Sequence, residues 1–160
     1  MTDPGGDRSR NGRGDTPFRP VLDLRARMAP GAGRSTGSCA WFPCRMLYTV
    51  DEPFSVRVEF RTAVAGAPRR WSVSRDLLAA GTSASCGTGA LRIRPDPRYL
   101  LFGRRLYLSF WAPGGRVTFE TDRSQVKSWL DATYALVPRG SEPELLDWDA
   151  LERDLLQRRD

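Results

Sequence analysis

The sequence predicts an α+β fold of about seven antiparallel strands, with one short central helix and further helices gathered at the C-terminal end. Three observations predict it. Apolar residues alternate with a period of two in successive short segments between Val21 and Thr121. Gly and Pro punctuate those segments, and after Asp122 the apolar period lengthens to that of a helix. The chain has 160 residues, 40% of them hydrophobic and 28% charged, which suits a single core.

The first 20 residues are rich in Gly, Arg and Asp, with Met1 and Phe18 as their only large apolar groups, so a disordered leader is expected over residues 1–20. One domain spans 21–157 and a charged tail occupies 158–160. Leu22, Leu24, Ala26 and Met28 alternate with Asp23, Arg25 and Arg27, the pattern of a half-buried strand. After a Gly/Pro/Ser-rich connection, Trp41 to Val50 reads as a second strand, and Asp51-Glu52-Pro53 as a turn. Phe54, Val56, Val58 and Phe60 form the apolar face of a third strand, opposite Ser55, Arg57, Glu59 and Arg61. Gly66 to Pro68 closes a hairpin into Trp71–Val73. A short helix follows, with Ser74 as its cap and Gly81 as a left-handed terminator.

Leu91 and Ile93 alternate with Arg92 and Arg94 until Pro95. Leu106, Leu108 and Phe110 then face inward, opposite Tyr107, Ser109 and Trp111, and Pro113-Gly114-Gly115 turns into a strand with Val117 and Phe119 inward. Asp122 caps a helix carrying Val126, Trp129, Leu130 and Thr133, which Pro138 and Gly140 end. Asp147 caps a last acidic amphipathic helix with Trp148, Leu151 and Leu155 at helical spacing.

Composition narrows the chemistry. The chain contains no His, which closes every mechanism built on imidazole: the Ser-His-Asp and Cys-His triads, His-ligated metal sites and a His pH switch. Cys39, Cys44 and Cys86 are an odd set without metal-ligand spacing and are read as ordinary thiols, so neither a metal nor a cofactor is expected. Gly87-Thr88-Gly89 lacks the Gly-Lys of a phosphate loop and reads as a tight turn. Asp51, Glu52, Asp147 and Asp149 sit in a turn and at a helix start, where carboxylates satisfy backbone amides, so no general acid and base pair stands out. No run approaches the roughly 18 apolar residues of a membrane span, and no apolar stretch opens the chain, so a cytoplasmic protein is expected.

The net charge is +6, carried almost wholly by Arg, since Lys127 is the only lysine. A basic body is followed by an acidic end, with 7 acidic residues against 3 Arg in the last 20. Arg92, Arg94, Arg104 and Arg105, interleaved with Trp71 and Tyr107, have the composition of a single-strand nucleic-acid surface. Tyr99-Leu100-Leu101-Phe102 is apolar for a connection and reads as core or as an oligomer or partner contact.

A series of residues carries a family resemblance: Tyr48, Pro53-Phe54, Val56, Phe60, Trp71, Arg75-Asp76-Leu77-Leu78, Gly81, Gly87-Thr88-Gly89, Arg92 and Pro95. The series continues at Pro113-Gly114, Trp129-Leu130, Val137-Pro138 and Gly140. Over residues 21–156 the chain resembles the SsgA-like proteins, regulators of sporulation and cell division in filamentous actinobacteria. It departs from that pattern in its Gly/Arg leader, in the Arg-rich segment Arg92 to Arg105, and at Trp41, Cys44 and Trp111. The resemblance implies a strongly bent, whirly-like β-sheet assembled as a homotrimer. It also implies a non-enzymatic adaptor that is recruited to division septa and helps to place or activate septum formation through protein contacts. The partners implied are division or cell-wall machinery proteins, such as the tubulin-like FtsZ, or another SsgA-like protein. On that reading Tyr99, Leu100, Leu101, Phe102, Trp148 and Leu151 are the expected contact residues, and the alternative is the nucleic-acid face formed by Arg92, Arg94, Arg104, Arg105, Trp71 and Tyr107.

Overall fold

The structure, a computed structural model, describes residues 19–28, 41–61, 69–98, 103–112 and 115–157. Residues 1–18 of the expected leader, the tail, Cys39 and the segment Tyr99–Phe102 lie outside them, whereas Pro20, expected in the leader, is buried and its carbonyl accepts from the Tyr48 amide at 3.1 Å. Seven strands form one antiparallel sheet: β1 (Val21–Met28), β2 (Trp41–Tyr48), β3 (Ser55–Phe60), β4 (Arg69–Ser74), β5 (Leu91–Pro95), β6 (Arg105–Ala112) and β7 (Gly115–Asp122). The helices are α1 (Arg75–Gly81), α2 (Arg123–Leu136) and α3 (Trp148–Gln157), with a short 3-10 helix, Glu142–Leu145, between the last two.

The strand order is β4-β3-β2-β1-β7-β6-β5. Three strands in sequence order on one side of β1 and three on the other follow from hairpins, whereas the β1–β7 pairing closes a long loop of chain. Among the described residues that seam pairs Arg27 with Glu120 and Met28 with Phe119, and Thr121 Oγ1 donates to Arg25 O at 3.3 Å. Across it the sheet curls until its two halves touch. Phe60 on β3 stacks on Phe119 of β7 at 4.1 Å between ring centroids, and Trp71 on β4 lies 4.6 Å from Phe110 on β6. Met46, Tyr48, Val56, Val58, Ile93, Leu106 and Leu108 fill the concave side with them, and Val126, Trp129 and Leu130 of α2 join the same core.

Both helix starts behave as the caps require. Ser74 Oγ accepts from the Leu77 amide at 3.3 Å, and Asp122 Oδ1 accepts from the Gln125 amide at 2.9 Å. Two expectations are corrected. Gly81 does not adopt a left-handed conformation; it is buried inside α1, where a Cβ would lie 2.3 Å from Ile93 Cγ2. Close approach of helix to strand, and not a terminating turn, explains the glycine. Phe54 is exposed, because the turn bonding the Ser55 amide to Glu52 O places it before the first β3 pair, and Pro53 takes the buried position.

Neither paired end of β5 is an open edge. Cys86 bridges Ile93 through N–H to O bonds of 2.8 and 2.9 Å, and Pro95 has no amide to offer.

Candidate functional site

Residues that pair directly across an antiparallel sheet share a face, so the register assembles the outer surface row by row. One row runs across five strands: Arg94 (β5), Tyr107 (β6), Glu120 (β7), Arg27 (β1) and Trp41 (β2). A second places Arg92 beside Ser109 and Thr118, and a third pairs Trp111 with Arg116. Each large ring on this face carries a guanidinium: Arg94 over Tyr107 at 4.3 Å, Arg27 over Trp41 at 5.2 Å, and Arg116 over Trp111 at 5.5 Å.

Glu120 is the centre of that face. Its carboxylate is almost fully buried, accepts from Arg27 Nε, and lies 3.5 Å from Arg105 Nη1. Ser109 and Thr118 are also buried and share a hydroxyl hydrogen bond of 2.8 Å. The outer face of β6 and β7 is therefore a covered polar network at its middle, bordered by exposed Trp41, Trp111, Arg92 and Arg116.

Arg92, Arg94, Arg105 and Tyr107 are brought together here, and Arg104 sits exposed just before β6, its carbonyl accepting from the Arg123 amide at 2.7 Å. Trp71 is not with them. It pairs with Val58 and packs against Phe60 and Phe110 on the concave side, so the expectation that it stacks a base beside these arginines is corrected. Trp41, Trp111, Arg116, Arg27 and Glu120 complete the face and were not among the expected site residues. Trp111 opposite Arg116 rests on the pairing of Ala112 with Gly115, which places Gly115 in β7 and not in the expected Pro113-Gly114-Gly115 turn, and Arg27 beside Glu120 depended on a pairing 93 residues apart.

Of the expected contact residues, Trp148 is 55% exposed, with its Nε1 donating to Pro143 O at 3.0 Å. Leu151 lies on α3, and its side chain is outside the described set, as are Tyr99, Leu100, Leu101 and Phe102. Arg98 O accepts from the Gly103 amide at 2.9 Å where that segment leaves and rejoins the fold.

Sequence reasoning also missed a buried knot on the other side of the molecule. Arg75, at the start of α1, donates to Tyr48 Oη at 2.9 Å, Thr133 O at 3.2 Å, Val137 O at 3.0 Å and the Glu142 carboxylate. It lies between the rings of Tyr48 and Tyr134, at 4.8 and 4.2 Å. Tyr134 Oη donates to Asp76 Oδ1 at 2.6 Å, and burial first, then Asp76, raises the phenol's pKa. Cys44 is buried between strands, which pushes its thiol up to about 12 and keeps it protonated. The described residues contain no group of three or more His, Cys, Asp and Glu arranged to hold a metal, and no helix among them is long and apolar enough to cross a membrane.

Residues 42–142 match the family model described as Streptomyces sporulation and cell division protein, SsgA, and the chain belongs to that family. It is 36% identical to the sporulation-specific cell division protein SsgB of Salinispora tropica over 70% of this chain and 78% of the relative. With SsgB of Frankia casuarinae it shares 34% identity over 64% of this chain and 70% of the relative. Among solved structures, SsgB of Streptomyces coelicolor, described with mutations that correlate to longitudinal cell division during sporulation, superposes with a TM-score of 0.69. That match has 27% identity and covers 81% of this chain and 96% of the other.

Proposed function

We propose that this protein is a non-enzymatic adaptor of sporulation-specific cell division, recruited to septa and acting there through protein contacts. The observation that carries the reading is the family match across residues 42–142, together with relatives of the same name in several genera that cover about two thirds of the chain or more. The matched span runs from β2 through the sheet to Glu142, so it includes both members of the buried Arg75–Glu142 pair that joins α1 to the C-terminal segment. The working form is a homotrimer that presents the Tyr99–Phe102 segment and α3, with Trp148 and Leu151, to a division-machinery protein such as FtsZ.

A fluorescent fusion expressed in a sporulating actinobacterium should form regular bands at sporulation septa, and purified protein should co-sediment with polymerised FtsZ. Changing Leu101 and Phe102 to Ser should abolish self or partner association while leaving the circular dichroism spectrum unchanged. A fusion spread evenly through the hyphae would overturn the adaptor reading. Normal assembly and binding by the double variant would overturn only the contact assignment.

A further inference from the structure

We propose that the hollow between the Gly87–Gly89 turn and the end of β6 is a subsite for single-stranded nucleic acid, with one base stacked on Trp111 and the adjoining phosphates along Arg92 and Arg94. The hollow measures about 600 Å³ and is lined by Gly87, Thr88, Gly89, Arg92 and Trp111. It is not the arrangement the composition suggested, since Trp71 is turned into the core and Trp111 supplies the ring instead.

Each wall fits one part of a nucleotide. The Trp111 indole is 47% exposed, and Arg116, which sits 5.5 Å from the ring centroid, is not part of the lining. Arg116 reaches the ring from β7, where it pairs with Trp111, and the hollow meets the same indole from the side of Arg92 and the Gly87–Gly89 turn. A flat, open indole suits a base, because every base has a π-face, and stacking of this kind tolerates sequence. Arg92 and Arg94 lie two residues apart on the outward side of β5, about 6.5 to 7 Å along the strand, so they offer two cations in line for a phosphodiester backbone. Arg94 is steadied by Tyr107 beneath it. Gly87 (φ +90°) is packed against its own strand, a Cβ there lying 2.4 Å from Leu91 O, whereas the turn contributes bare main chain at Gly89 (φ +70°), where a Cβ would meet nothing within 4 Å. Backbone of this kind admits the close approach of a phosphate. A nucleic acid presents a planar base and an anionic phosphate in every repeat, whereas an acidic peptide presents a ring only where its sequence supplies one, which is why nucleic acid is the better occupant. The proposal is independent of the division reading.

The test uses the full chain and a fluorescein-labelled single-stranded DNA of mixed sequence, about 12 nucleotides long, followed by fluorescence anisotropy between about 50 and 200 mM salt. Trp111→Ala should weaken binding roughly tenfold and Trp111→Phe should restore most of it. Arg92→Gln should lower the slope of log affinity against log salt by about 0.7. Arg57→Gln, on the distant β3, should change neither. Unchanged affinity in Trp111→Ala, or no rise in anisotropy at low salt, overturns the proposal. So does displacement of the DNA by polyglutamate at lower concentration than by unlabelled DNA, which would assign the face to acidic peptides.

Discussion

Arg75 is a cation with almost no contact with water, and its burial is tolerable because its two terminal nitrogens are so well supplied with acceptors, although its Nε is buried without a hydrogen-bond partner. One carboxylate, one phenol and two backbone carbonyls accept from its two terminal nitrogens, while two aromatic rings enclose it. Removing the cation leaves Glu142 buried and unpaired, so Arg75→Met should cost about 3–5 kcal/mol in urea unfolding. Arg75→Lys should not rescue it, because a single ammonium cannot span acceptors held by a forked guanidinium. Changing both Arg75 and Glu142 to Met should cost less than the sum of the two single variants. The pair also sets a pH dependence. The Glu142 carboxylate accepts from its own amide, from Arg75 and from the Gly140 amide, and these bonds hold its pKa below the ordinary 4.5. A lowered native pKa contributes stability that is complete above the unfolded value and is lost as pH falls through the native one. Denaturation midpoints measured from neutral pH down to about pH 3 should fall below the ordinary glutamate range near 4.3, and Glu142→Gln should flatten that part of the profile. An identical acid limb in the variant would show that other carboxylates govern it.

At the scale of elements, α1 is the instructive case. Seven residues cannot hold a helix alone, so this one depends on its cap and on what it packs against. Gly81 makes the second of these possible. Alanine is the better helix former by about 1 kcal/mol, yet its methyl would overlap both Cβ and Cγ2 of Ile93, at 2.6 and 2.3 Å. Gly81→Ala should therefore destabilise the protein by about 1–3 kcal/mol in thermal or urea melts, and a stabilising result would show that α1 can move off β5. Local features such as the Ser74 and Asp122 caps, the antiparallel pairing of β6 with β7 and the alternation along β3 were legible because the interactions that set them lie within a few residues. The seam, the Arg75 knot and the burial of Glu120 were not, since each depends on residues 58 to 93 positions away. The candidate surface was half legible for the same reason. Alternation placed Arg92, Arg94, Tyr107 and Trp111 on outward sides, but only the strand register sets Arg116 beside Trp111, and only the packing of the curled halves shows that Trp71 faces the core.

For the whole molecule, the question is what keeps the sheet curled. Among the described residues the β1–β7 seam pairs Arg27 with Glu120 and Met28 with Phe119. Side chains close the gap on both sides of the seam: Glu120 binds Arg27 on the outer side, and on the inner side Phe119 stacks on Phe60 while Phe42 meets both rings edge-on at 5.6 and 6.0 Å. Phe119 is the hinge pin of that arrangement, because its backbone pairs with Met28 across the seam and its ring reaches β3. Phe119→Ala should cost about 3–5 kcal/mol, as deletion of a well-packed core ring does. It should also lower amide-exchange protection in β2–β4 as much as in β5–β7, with one cooperative unfolding transition. Two separated transitions, or protection lost in β5–β7 alone, would mean that each half has a sufficient core of its own and that the curl is an association of two stable pieces. A single transition would make the aromatic cluster the common core, and the outer rows of arginines and rings would then depend for their alignment on a contact made on the opposite face of the sheet.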